Sequence, residues 1–84
     1  MITYRVVAVW SEKTTDLQEV SHIIEECDVQ DVSVLNTAES NDIRGAVFNV
    51  SLNPDKVDIA EIETALERVV IKVEHTLVSE EVLI

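Results

Sequence analysis

The sequence predicts one α+β domain in which two helices cover one face of a four-stranded antiparallel sheet. Its length of 84 residues suits one small domain, and its 46% hydrophobic composition can supply a modest core. Segments rich in β-branched residues alternate with segments whose apolar residues recur at helical spacing. No repeat, linker or low-complexity tract divides the chain, so residues 1–84 are assigned to a single domain.

The first half of the chain predicts a strand, a helix and a second strand. Residues 2–9 are rich in β-branched side chains, which favours a buried strand. The start of helix 1 is predicted at Thr15 or Asp16, because each has a Gln or Glu three residues later, as in a capping box. Residues 32–37 predict the second strand. Four apolar residues form one stripe along helix 1: Leu17, Val20, Ile24 and Cys27.

The second half repeats this pattern. Residues 45–52 predict a third strand, separated from the second by a long polar hairpin loop at 38–44. Asp58, with Glu61 three residues later, is the predicted N-cap of helix 2. Residues 70–78 alternate apolar and polar side chains and predict the fourth strand. The order β-α-β-β-α-β with right-handed crossovers is a ferredoxin-like sandwich.

The strand alternation predicts that the sheet face opposite the helices is partly apolar. A bare sheet face is usually more polar at its centre, so we expect a second copy of the chain to cover this face. The predicted homo-oligomer interface comprises Arg5, Val7, Val9, Val47, Asn49 and Lys72. The apolar residues at 82–84 are predicted to add a short edge strand or to reach a neighbouring subunit.

The charge balance limits the choice of partners. The chain has 17 acidic and 6 basic residues, for a net charge of −11. This charge disfavours binding to nucleic acid and to anionic membranes, both of which require basic surfaces. Two interpretations stay open: the charge keeps the protein dissolved, or it attracts a basic protein partner. The acidic residues on the helix surfaces are Glu19, Glu26, Glu63 and Glu67.

The composition predicts a cytoplasmic protein. The N-terminal residues lack a basic segment followed by a cleavage site, and no apolar run reaches the roughly 20 residues that span a bilayer. The single Cys27 cannot form an internal disulfide.

The residues that carry enzyme chemistry are few, so no catalytic residue, metal site or cofactor is predicted. His22 lies opposite the apolar stripe of helix 1, which indicates a solvated residue. His75 has the inward parity of the fourth strand, which indicates a partly buried structural residue. Cys27 belongs to the core stripe and has no base at a defined spacing. No phosphate-binding loop or metal-ligand spacing is present in the sequence.

The segments DLQEVSHIIEECDVQDVSVL and VDIAEIETALERV resemble the first helix, second strand and second helix of ACT domains. The resemblance covers most of the chain and implies a homo-oligomeric regulatory module that binds an amino acid or a similar effector. In that family the ligand lies at the turn between strand 1 and helix 1, which usually reads Asp-x-Pro-Gly. Glu12, Thr14 and Thr15 stand in those places, which removes the close backbone approach that Gly permits.

The resemblance implies a ligand site at this turn, formed by Ser11, Glu12, Thr14, Thr15, Asp16 and Leu17. The segments DVQDVSV, VDIAEIETALE and VIKVEHTLVSEEVLI are also similar to the archaeal family known as domain of unknown function 211. That similarity implies a fold and an oligomer but no mechanism.

We therefore predict a small non-enzymatic regulatory or assembly module, ACT-like, that forms a homo-oligomer and binds a small effector. The alternative is an acidic protein-binding protein, such as an inhibitor that mimics nucleic acid, acting through its helical face. An enzyme of the acylphosphatase type would need an Arg-bearing phosphate loop after strand 1, and the sequence has none there.

Overall fold

A computed structural model of the chain describes residues 1–80. The predicted order and the ferredoxin-like α+β fold are confirmed. The four strands form one antiparallel sheet in the order β2-β3-β1-β4. The elements are β1 (Ile2–Ser11), α1 (Leu17–Glu25), β2 (Asp31–Ser40), β3 (Ile43–Leu52), α2 (Ile59–Glu67) and β4 (Lys72–Glu80).

The core lies between the two helices and one face of the sheet. Alternate residues of β1 and β3 are buried there, while α1 contributes Val20 and Ile24 and α2 contributes Ile62 and Leu66. The two α1 positions belong to the helical stripe read from the sequence, because residues three or four apart share a helix face. The strand residues of this core are Val6, Ala8, Trp10, Ala46, Phe48, Val50 and Leu52.

The hairpin between β2 and β3 is tighter than the sequence predicted. The prediction of a long polar loop at 38–44 is wrong, because β2 continues to Ser40 and β3 begins at Ile43. A turn of two residues joins them. Asn41 adopts a φ of 54° in this turn, a conformation that Asn tolerates better than most residues. The polar residues Glu39 and Arg44 are direct partners in the β2–β3 ladder. The polar residues of this segment therefore belong to the ends of two paired strands and not to a loop.

Both edge strands contain an irregularity. The register of β2 on β3 shifts between Val34 and Asn36, which leaves Leu35 as an extra residue. The register of β4 on β1 shifts beside Thr3 and Tyr4. Such β-bulges bend an edge strand and disrupt its ladder locally.

The fourth strand begins two residues later than predicted and runs to Glu80. Before it, the N–H of Val70 donates to Leu66 O and that of Ile71 donates to Val9 O. The predicted contacts of residues 82–84 lie outside the described residues. Across residues 1–80, neither helix has the length and apolar character needed to cross a membrane.

Candidate functional site

The turn between β1 and α1 is held by its own hydrogen bonds. Ser11 O accepts from the N–H and hydroxyl of Thr14 and from the N–H of Thr15, at 3.1–3.3 Å. Asp16 is the N-cap of α1, and its carboxylate accepts from Glu19 N–H at 2.8 Å. The buried Thr15 donates its hydroxyl to the Glu19 carboxylate at 2.8 Å. These polar groups therefore stabilise the turn and the helix start.

The two remaining predicted turn residues face in different directions. Glu12 pairs with the Arg44 guanidinium, which links the turn to the β2–β3 hairpin. Its neighbour Lys13 lies 3.2 Å from the carboxylate of Asp42 in the same hairpin. Leu17 lines a cavity at the end of the sheet. Of the six residues predicted for a ligand site at this turn, Leu17 is thus the one that reaches the cavity.

This terminal cavity has a volume of about 470 Å³ and lies between the start of α1 and the hairpin. Trp10 forms part of its wall and is buried, and its indole Nε1 has no hydrogen-bond partner within residues 1–80. Arg44 is held by Glu12 and, at 3.4 Å, by Glu39, and it also donates to two backbone carbonyls. The lining residues are Trp10, Leu17, Thr37, Ala38, Glu39, Arg44 and Gly45.

Sequence reasoning missed the contribution of β2 and β3 to this cavity. The sequence predicted Glu39 and Arg44 in a loop. In the structure they lie on either side of the Asn41–Asp42 turn and form an ion pair. Opposite charges placed symmetrically about a short Asn–Asp turn are typical of a hairpin, and that signal could have found them.

The residues predicted for a homo-oligomer interface share one face of the sheet. Arg5, Val7 and Val9 alternate on β1 opposite the core positions, and their ladder partners on β3 and β4 lie on the same side. Val7 is 38% exposed. We call this the open face, and its central depression of about 220 Å³ is lined by the apolar side chains of Val7, Val9 and Val47 together with neighbours on β2 and β3. The structure therefore brings the six predicted interface residues, Arg5, Val7, Val9, Val47, Asn49 and Lys72, onto one surface.

The histidines have structural partners. His22 is exposed on α1, with its imidazole 2.9 Å from the Glu26 carboxylate. His75 lies on the helix-facing side of β4, where its Nδ1 is 2.6 Å from the Glu63 carboxylate of α2. The ring of Tyr4 meets that of His75 edge-on, with centroids 5.5 Å apart. These contacts fasten the β4 edge to α2.

The single thiol is placed as a core residue. Cys27 is partly buried beyond the end of α1, and its Sγ donates to Ile23 O at 3.2 Å. Burial raises the pKa of the Cys27 thiol, and the carboxylates of Glu61 and Glu26 raise it further. A raised pKa lowers the thiolate fraction and hence the nucleophilicity at neutral pH. Within residues 1–80, no group of three or more His, Cys, Asp or Glu side chains is arranged to hold a metal ion.

Comparison of the chain with protein family models gave no match, and a search of curated proteins gave none either.

Proposed function

We propose that this protein is a non-enzymatic regulatory or assembly module, ACT-like in its organisation, in which two copies pair through their open sheet faces. The observation that supports this most directly is the character of that face. Val7, Val9 and Val47 form an apolar centre that no element of residues 1–80 covers. Polar side chains such as Arg5 and Asn49 surround it, as in interfaces that combine an apolar core with a polar rim.

The size of the open face is sufficient for a modest dimer. Four strands spaced about 4.8 Å apart and roughly 30 Å long present on the order of 600 Å² per copy. Pairing two such faces buries about 1,200 Å² in total, the lower end of the range for stable complexes. The proposed dimer is therefore reversible, with an affinity that depends on the apolar centre.

Charge also favours this face over the rest of the surface. The strand register places Arg5 and Lys72 on it together with two carboxylates, those of Glu74 and Asp31. Two cations balance two anions, so the open face is neutral, while the chain as a whole carries −11. Two copies that meet through this face avoid the like-charge repulsion that their other surfaces would cause.

Sedimentation equilibrium tests the pairing. We expect the unmodified protein to dimerise at micromolar concentration and Val7→Glu to be monomeric, because a carboxylate would be desolvated at the apolar centre. Thr64→Glu, which adds the same charge at an exposed position of α2, is the matched control and keeps the dimer. Added salt leaves the dimer intact or strengthens it, since it screens the repulsion between the acidic surfaces. A monomeric unmodified protein would refute the pairing.

The regulatory part of the proposal concerns the terminal cavity beside the β1–α1 turn. Its position corresponds to the ligand turn of ACT domains, and it offers both apolar and charged groups to a small effector. Calorimetry against amino acids and nucleotides, with Trp10 fluorescence as a second signal, tests it. An intact dimer that binds none of these compounds would leave the assembly role alone.

The second candidate function is an acidic protein that binds a basic partner through its helical face. It is favoured by the exposed carboxylates of the helices, among them Glu67. The other three predicted acidic residues are engaged with neighbours: Glu19 with Thr15, Glu26 with His22 and Glu63 with His75. Charge reversal of all four should abolish such binding. A partner that binds the charge-reversed protein with unchanged affinity would contradict this function. Both candidates include a cytoplasmic location, consistent with a single unpaired Cys.

A further inference from the structure

A continuous groove runs between α1 and the edge strand β2. It consists of three adjoining cavities: the terminal cavity, a middle one of about 520 Å³, and one of about 240 Å³ near the start of β2. Leu17 lines both the first and the second, and Glu25 lines both the second and the third. Within residues 1–80, no hydrogen bond or ion pair crosses from α1 to β2. We call this feature the β2 groove.

The edge strand that borders the β2 groove is suited to strand addition. Within residues 1–80, β2 pairs with β3 alone, so one side of its backbone has no ladder partner. Its central residues 33–38 carry no charge, and Val34 and Leu35 are 43% and 50% exposed. Natural edge strands are often protected by charged side chains, by a covering element or by a β-bulge. This stretch has no charged side chain, and the bulge at Leu35 is its one such protection.

The groove has a definite chemical character. Its apolar lining includes Leu17, Val34 and, at its two ends, Trp10 and Val32. Its charged lining comprises the carboxylates of Glu25 and Glu39 and the guanidinium of Arg44. Arg44 is already held by Glu39 and by the neighbouring Glu12, which leaves that end of the groove with one surplus negative charge and the other end with the carboxylate of Glu25. The free charge in the groove is therefore negative.

We propose that the β2 groove binds an extended peptide segment of a partner protein, which pairs with β2 as a fifth strand. Backbone hydrogen bonds to the free side of β2 supply affinity, and alternate side chains of the peptide enter the groove. Charge complementarity selects a segment with basic residues near its ends and apolar residues between them. This site is separate from the open face, so it does not depend on the dimer proposed above. It includes the terminal cavity, so the peptide and the small effector proposed for that cavity exclude each other.

A synthetic peptide tests the site. The probe is Lys-Thr-Val-Thr-Val-Thr-Val-Thr-Lys, acetylated and amidated, whose alternate residues present the lysines and valines on one side. We expect it to change the fluorescence of the single Trp10 and to shift the amide resonances of residues 33–38. A version with Glu in place of both Lys should bind at least about tenfold more weakly, since like charges would face each other. Equal affinity of the two peptides would overturn the charge assignment.

Backbone pairing is tested separately from side-chain contact. An N-methylated form of the probe, with the N–H groups of its threonines blocked, cannot complete a β-ladder on one side. A second form is N-methylated at the valines instead. We expect one of the two forms to lose binding and the other to retain it, because alternate N–H groups of a strand point to opposite sides. Binding of both forms with unchanged affinity would refute strand addition.

Two substitutions at equivalent edges provide the protein controls. Val34→Lys places a cation in the groove and should weaken binding of the basic probe at least about tenfold. Leu77→Lys makes the same change on the opposite edge, at a residue 53% exposed, and should leave binding unchanged. Both sites are exposed enough for the variants to fold, which circular dichroism checks. If Val34→Lys instead changes the sedimentation of the protein without peptide, a second copy occupies β2 and the proposal is wrong.

Discussion

The two edge strands of the sheet differ in how their helix-facing sides are covered. On β4, His75 reaches Glu63 of α2 and packs against Tyr4, so the edge is fastened to the helix layer. On β2, no polar contact within residues 1–80 joins the strand to α1, and the β2 groove lies between them. Both edges carry a bulge, so the bulge alone does not distinguish them. The difference indicates that one edge serves stability and the other is left accessible.

The largest effects are expected for two aromatic residues of the central strand β1. Trp10 lines the terminal cavity beside β2, and Tyr4 packs against His75 of β4. Trp10, at the β2 end, is 2% exposed, and Trp10→Ala is expected to lower the free energy of unfolding by about 3–5 kcal/mol. Tyr4, near β4, is half-buried, and Tyr4→Ala should cost about 1–3 kcal/mol. Urea unfolding followed by circular dichroism measures both. A larger cost for Tyr4→Ala would reverse our view of where the core is deepest.

A conservative variant sharpens the first prediction. Trp10→Phe removes the indole N–H, which is buried without an acceptor in the described part of the chain. A buried unsatisfied donor costs on the order of 1–3 kcal/mol, so its removal offsets part of the lost packing. Trp10→Phe should therefore be much milder than Trp10→Ala. Equal losses for the two variants would contradict this prediction, because Phe keeps most of the packing that Ala removes.

The helix caps should give the next largest effect. Asp16 accepts from Glu19 N–H at 2.8 Å, whereas Asp58 accepts from Ala60 N–H at 3.4 Å. We expect Asp16→Ala to destabilise the protein by about 1–2 kcal/mol and Asp58→Ala by about 0.5–1 kcal/mol, measured by urea unfolding. Asp16→Asn, which keeps the acceptor oxygen, is the control and should be nearly neutral. A larger loss of stability for Asp58→Ala than for Asp16→Ala would show that α2 depends more on its cap than α1 does.

The His75–Glu63 contact should contribute less than the Asp16 cap and about as much as the Asp58 cap. Both side chains are partly exposed, at 37% and 21%, so solvent weakens their attraction. A double-mutant cycle with His75→Ala and Glu63→Ala should give a coupling of about 0.5–1 kcal/mol. The matched cycle on His22 and Glu26, which are 65% and 69% exposed on α1, should give less. Equal coupling energies in the two cycles would show that the His75–Glu63 contact stabilises the β4 edge no more than an exposed pair does.

The smallest effect is confined to alkaline solution. Because burial raises the pKa of the Cys27 thiol, the folded protein keeps this proton to a higher pH than the unfolded chain does. The stabilising contribution is complete below the unfolded pKa of about 8.5 and is lost as the pH rises through the folded value. The stability of the unmodified protein relative to Cys27→Ala should thus be constant near neutrality and decline above pH ~8.5. A difference that rises with pH would contradict the direction of the shift.

The sequence could predict the fold because each of its local signals agreed with the others. Helical stripes such as Leu17, Val20 and Ile24 and the alternation of β1 and β3 both require one buried face. The bulge at Leu35 could not be predicted. Strict alternation would place Asn36 on the helix-facing side together with Val34. In the observed register Thr37 and Glu39 lie on that side instead. The β2 groove was also missed. Its width depends on where α1 sits above the sheet, which is a tertiary property that no local pattern encodes.

The neutrality of the open face gives the molecule a preferred orientation on charged materials. Nearly all the surplus negative charge lies on surfaces other than this face. A positively charged support attracts those acidic surfaces and has no net attraction for the open face. Molecules adsorbed on such a support should therefore direct the open face towards the solution. Immobilisation through charge alone would order this protein without an engineered tag.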